Sequence, residues 1–284
     1  KLLPVPILNL TIQGIDQLAR TDLLKRFDPG LLGKNLTPRR RNLAYMSVWV
    51  AIFATMQVLT GTAVTLARGD SLKAQGRLEE AIARYREFVR TDPADFDGQS
   101  KLAAALLQAE RPQEALPALQ RAVELQPNSA EAHNTLGATL MRVGRFEDAV
   151  GPLKRAAELQ PTSADAQSAL GMTLLQAGRV EDAVTSLRRT VELKPTSVEA
   201  SNNLGAALMQ AGRFDDAIAA LQRAVDLQPN SPEAYNNLGV ALSRAGRLKD
   251  AVTPFRRAVE LEPQSAEARH ALLHTASRFF GEDV

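Results

Sequence analysis

The sequence predicts an all-α fold, a solenoid of antiparallel helix pairs, and three observations carry that expectation. Of the 284 residues, 45% are apolar but only 5% aromatic. Ala, Leu, Gln, Arg and Glu dominate from about residue 70 onward, a composition suited to helices packed through small side chains. Prolines recur with a 34-residue period at Pro93, Pro127, Pro161, Pro195, Pro229 and Pro263, each after a helical stretch such as RAVELQ, where a proline stops the helix. Within a period, two stretches with a helical apolar stripe flank a glycine.

Residues 1–41 have no repeat pattern. Pro4 and Pro6 interrupt an apolar run, Asp28, Pro29 and Gly30 form a turn signal, and the stretch ends on the basic cluster from Lys34 to Arg41. The chain opens on Lys1 rather than Met, so we expect residues upstream, and 1–41 reads as the tail of an upstream membrane domain. Between Arg41 and Arg68 lie 26 residues without a charge, long enough to cross a bilayer. Arg39 to Arg41 precede them, and Tyr45 and Trp49 lie near their start, as a positive flank and interfacial aromatics would. Residues 42–61 are therefore read as a transmembrane helix; Asn42, Ser47, Gln57 and several threonines leave a buried or interfacial helix as the other reading. With the basic cluster on the cytoplasmic side, the repeats fall in a periplasm-like space, and a cytoplasmic location is the alternative.

Six repeats follow, 62–95, 96–129, 130–163, 164–197, 198–231 and 232–265, and residues 266–284 are a capping helix and tail. In the third repeat, His133, Leu136, Gly137 and Leu140 form one stripe and Phe146, Ala149, Leu153 and Ala156 the other, with Gly144 between them. Gly137, Gly171, Gly205 and Gly239 on the first helices, with Ala149, Ala183, Ala217 and Ala251 on the second, are expected to let two backbones approach closely. Phe279 and Phe280 are expected to close the core at the cap, with docking on another chain as the alternative.

This pattern resembles the tetratricopeptide-repeat family, most fully in the sixth repeat with Tyr235, Leu238, Gly239, Leu242, Ala251, Phe255 and Pro263. The first two copies depart from it. Arg68 stands where Leu is expected, Phe88 where a small residue is expected, Ala103 for Gly, and Glu110 for the interhelical Gly. The resemblance implies a right-handed superhelix whose inner face is lined by the first helices and holds a partner protein or peptide.

Catalytic and cofactor chemistry finds little support. Without Cys there is no disulfide, thiolate metal site or Cys nucleophile. His270 and His274 share a helix face but have no third ligand of a zinc motif, and His133 occupies a core position. The glycines recur with the repeat, and no phosphate-binding loop is seen. We expect no enzyme activity, cofactor or metal in these residues; the alternative is that they recruit or regulate for a membrane enzyme whose catalytic domain lies upstream. Residues 1–61 carry eight Lys/Arg against three Asp/Glu, whereas residues 62–284 carry 26 against 29, so the slightly acidic repeats give no reason to expect nucleic acid.

The expected partner surface is the first-helix stripe beside the buried one. It comprises Asn134, Met141 and Arg142 in the third repeat, Met172 and Gln176 in the fourth, Asn202, Asn203, Ala206, Met209 and Gln210 in the fifth, and Asn236, Asn237, Val240 and Arg244 in the sixth. An asparagine amide can pair with a peptide main chain whatever the peptide's side chains are. Asn203 and Asn237 resemble part of the asparagine ladder of O-linked glycosyltransferase repeats, interrupted here by Thr135 and Ala169, although asparagine also suits a solvated first turn. The Lys/Arg clamp of the family's chaperone-tail receptors is missing, with only Lys101 basic at those positions. Self-association through the apolar ends of the stack is a further reading.

Overall fold

In the computed structural model, Ser47, Val50, Gly61 and residues 63–280 are described, and they fall in two compact units that meet in sequence between Leu125 and Gln126. The first unit contains α1, helical over 63–74, α2 (Leu78–Thr91), α3 (Phe96–Gln108) and α4 (Pro112–Leu125). The second contains α5 (Ala130–Arg142), α6 (Phe146–Leu159), α7 (Ala164–Gln176), α8 (Val180–Leu193), α9 (Val198–Gln210), α10 (Phe214–Leu227), α11 (Pro232–Arg244), α12 (Leu248–Leu261) and α13 (Ala266–Phe280). Among the described residues there is no strand. Each unit is an all-α solenoid of antiparallel helix pairs. The expected transmembrane helix at 42–61 and the segment 1–41 lie outside the continuously described residues; among the described residues no helix is long and apolar enough to cross a membrane.

Two different devices start the helices. Before α5, α7, α9 and α11, the hydroxyls of Ser129, Ser163, Ser197 and Ser231 accept from the backbone N–H three residues on, at 3.1–3.2 Å, and Ser265 does the same for α13 at 3.3 Å. Each cap satisfies an orphan donor and contributes about 1 kcal/mol. In the first unit Asp95 takes this role for α3, accepting from Gly98 at 2.6 Å. Second helices instead begin at an arginine. Arg145, Arg179 and Arg247 reach forward to Asp148, Asp182 and Asp250 at 2.6–2.8 Å, holding a carboxylate at the positive end of the helix. These pairs are exposed and worth tenths of a kcal/mol each.

The helices of each hairpin approach closely at the glycines, where a Cβ on Gly171 would lie 3.4 Å from the Leu187 backbone nitrogen, and the nearest atoms in the space they leave belong to a side chain. A Cβ on Gly137 would lie 2.4 Å from Leu153 Cγ, one on Gly171 2.6 Å from Leu187 Cγ, one on Gly205 2.5 Å from Leu221 Cγ and one on Gly239 2.7 Å from Phe255 Cδ1. Each glycine therefore makes room for a large side chain of the second helix. Ala149, Ala183, Ala217 and Ala251 are fully buried elsewhere along the same second helices.

The irregular first unit compensates for its departures. Phe88 stands where the second-unit repeats carry Ala or Thr, and it fits because Gly98 opposite it lacks a side chain; a Cβ there would lie 2.3 Å from the Phe88 ring. Helices α4, α6 and α12 run through Pro117, Pro152 and Pro254. An interior proline removes a helical hydrogen bond at about 3 kcal/mol, a cost that burial of neighbours such as Leu153 and Phe255 offsets.

In the second unit a continuous core joins Leu187, Leu204, Leu208, Leu221, Leu242 and Phe255. Helix α13 covers its end through Ala271 and Leu272, with Ala268 and Thr275 buried. The closing role expected of Phe279 falls to these residues, since Phe279 is 40% exposed; the side chain of Phe280 lies outside the described residues. Leu273, in the register position of the packing glycines, is 70% exposed.

Candidate functional site

In the second unit the first helices α5, α7, α9, α11 and α13 each touch the next one, and successive second helices approach one another less. The first helices therefore occupy the inner side of this stack. Helical residues two, five, six, nine, twelve and thirteen places past the serine cap share the face that the core stripe leaves open.

The structure places the sequence-predicted residues on two levels of this face. Arg142, Gln176, Ala206, Gln210 and Arg244 are exposed. Asn134, Met141, Met172, Asn202, Asn203, Met209, Asn236, Asn237 and Val240 are half-buried. Met209 and Val240 lean against the core cluster, and the Met141 sulfur accepts from Thr173 Oγ1 of α7 at 2.8 Å. These three side chains help to join neighbouring helices as well as lining the face.

Charge is distributed along it with a consistent sense. First turns carry Glu131, Asp165, Glu199, Glu233 and Glu267, and last turns carry Arg142, Arg244 and Arg278. Helix dipoles favour this arrangement, and the face has an acidic edge and a basic-to-amide edge. Lys194 pairs with Asp165 at 2.7 Å. Between the edges the asparagines supply the polarity. Asn236 Nδ2 donates to Glu267 Oε1 at 3.2 Å, a link from α11 to α13 that sequence reasoning missed, although the repeated first-turn acid was its signal. The Oδ1 atoms of Asn202 and Asn236, in equivalent register positions, are buried without a hydrogen-bond partner. Such an acceptor costs about 1–3 kcal/mol until a donor reaches it.

Other residues considered in the sequence have local roles. His133 Nε2 lies 3.0 Å from the carbonyl of Pro127, and in the first unit Gln99 donates to the carbonyl of Pro93 at 3.2 Å, so this register position ties a first helix to the loop before it. His270 and His274 stack with ring centroids 6.1 Å apart on the exposed side of α13. Lys101, the lone basic residue at a clamp position, is engaged by Asp70 at 2.7 Å and Asp97 at 3.1 Å. Burial opposes the Asp70 charge, but hydrogen bonds from Lys101 and from the buried Tyr85 hydroxyl, at 2.7 Å, outweigh it and hold its carboxyl below the ordinary range.

No curated protein matches the chain. Among solved structures, MamA is 26% identical, covering 60% of this chain and 92% of its own with a TM-score of 0.55. A MamA fragment from Desulfovibrio magneticus RS-1, also 26% identical, covers 60% and 97% with a TM-score of 0.55. YrrB, described as a TPR protein with an unusual peptide-binding site, is 22% identical and shares the fold, covering 66% of this chain and 96% of its own with a TM-score of 0.58. The family profile described as the cilia and flagella-associated protein 70 C-terminal domain matches residues 36–272. With that match spanning most of its length, the chain belongs to this tetratricopeptide-repeat family.

Proposed function

We propose that the chain is a protein-interaction scaffold, and that the first-helix face of residues 130–265 receives an extended segment of a partner protein. The observation that carries this reading is the pair of orphan carbonyl oxygens on Asn202 and Asn236, one repeat apart on the same face, each beside a second half-buried asparagine, Asn203 or Asn237. Small rotations of these amides would let them accept from the N–H groups of a peptide main chain, which demands no particular peptide sequence. Exposed Ala206 and half-buried Val240 supply the apolar floor, and the acidic and basic edges give the bound segment a direction. The peptide-binding site named for YrrB supports the same use of the fold. A tether through residues 42–61 would hold the scaffold at a membrane, supported by their freedom from charge and the Arg39 to Arg41 flank.

The test is substitution of the floor. Ala206→Glu and Val240→Glu should each leave the helical circular dichroism unchanged and weaken capture of a partner isolated with the parent chain by roughly tenfold or more, because a charge is then desolvated at the interface. Undiminished binding by both variants would remove the groove from consideration.

A further inference from the structure

We infer that the fifth repeat holds a second binding site, a cleft away from the first-helix groove, shaped for a single aromatic ring bearing an oxygen anion. The register position from which Gln99 and His133 reach the loop before their helices is filled by a longer side chain in four repeats, Gln99, His133, Gln167 and Tyr235, but by Ser201 in the fifth. Its hydroxyl turns back to the carbonyl of Ser197 at 3.2 Å. The volume that a longer side chain would occupy is left as a cleft of about 280 Å³ between α8, α9 and α10. Leu204 and Leu208 form its floor, Val191, Ala219 and Ala220 its walls, and Arg188, Arg223 and Asp216 its rim, where the Asp216 carboxylate is already paired with Arg213.

The sixth repeat shows what fits. There Tyr235 stands at the Ser201 position above Leu238 and Leu242, the counterparts of Leu204 and Leu208, with Arg257, the counterpart of Arg223, close enough to interact with the phenol. The fifth repeat thus keeps the guanidinium and the leucine floor of an aromatic site and omits the ring. The Arg223 guanidinium is held at the rim by its bond to the carbonyl of Pro195, at 2.8 Å. Arg188 makes no ion pair among the described residues. Two guanidinium groups above an apolar floor select a ring that carries an anionic oxygen substituent, since guanidinium pairs with carboxylate through charge-assisted bonds. The volume lies just below the usual range for ligand sites and suits a small occupant such as one substituted ring. This site is independent of the groove, so either can fail without the other.

The probe is 4-hydroxybenzoate, added to the full chain and followed by saturation-transfer difference NMR. Transfer to its ring protons is expected with the parent. It should be lost in Ser201→Tyr, which fills the cleft as the sixth repeat fills its own, and in Ala220→Leu, which closes it from α10 should the first variant fail to fold. Tyr235→Ser should open a related cleft beside Arg257, and because Gln222 stands there in place of the second guanidinium the added site should bind more weakly than the first. The neutral 4-hydroxybenzyl alcohol should bind at least tenfold more weakly. Absence of transfer with the parent, or equal transfer in a folded variant whose cleft is closed, overturns the assignment.

Discussion

Glu110 occupies a turn that the other repeats give to glycine. Gly144, Gly178, Gly212 and Gly246 adopt φ values of 72–77°, and Glu110 is held at 57°. A side chain in this region costs roughly 1–2 kcal/mol; glycine removes that cost, and its greater freedom in the unfolded chain offsets part of the gain. Glu110→Gly should therefore stabilise the first unit by about 0.5–1 kcal/mol, seen as a higher denaturation midpoint in urea; an unchanged midpoint would mean that this turn carries no strain. Asp70 supplies a pH dependence at the same scale. Its folded carboxyl is held below the ordinary value of 3.8 by Lys101 and Tyr85, against burial, so its contribution is present above that value and disappears as pH falls through the lower folded one. Asp70→Asn should be less stable than the parent at pH 7, with the difference closing below pH 3.8; a constant difference between pH 7 and pH 3 would assign the effect to shape. The departures at Phe88 and Glu110 were legible in the sequence as breaks in a repeat. Their remedies were not, because the space that Gly98 leaves for Phe88 depends on two helices meeting, and the turn angle at Glu110 is not written in residue identity.

At the level of the helix pair, periodicity read the elements well and their contacts less well. The prolines and the interhelical glycines marked where helices end, since both act through the local backbone. Which side chain enters the gap beside Gly205 required the pair itself, and it is Leu221, with an added Cβ at 2.5 Å from its Cγ. Gly205→Leu should cost roughly 1–3 kcal/mol, more if the helices separate, and should lower the thermal midpoint of the second unit. A melting curve that does not move would contradict this packing. The candidate groove was legible in the same partial way. A solvent-facing stripe follows from the 3.6-residue repeat, so the exposed positions of Ala206, Gln210 and Arg244 could be listed in advance of any coordinates. The orphan oxygens of Asn202 and Asn236, the Asn236 to Glu267 link and the open space beside Ser201 depend on distances between neighbouring repeats, and a stripe carries no such distances.

For the molecule as a whole, the proposed membrane tether through residues 42–61 has a direct test. If 42–61 cross a membrane, the complete chain should stay in the membrane pellet after alkaline carbonate extraction and a chain beginning at residue 62 should be released; release of both would leave 42–61 as a surface or buried helix. The repeats have a separate property at this scale, which follows from the serine caps. Ser129, Ser163, Ser197, Ser231 and Ser265 stand 34 residues apart and make the same bond to the helix that follows. Excising the stretch from any one of them to just before the next joins chemically identical ends, and duplicating it does likewise. The gene can thus gain or lose whole repeats by unequal crossing-over without creating a foreign junction, and the number of first helices that line the inner face is a trait open to change in steps of one repeat.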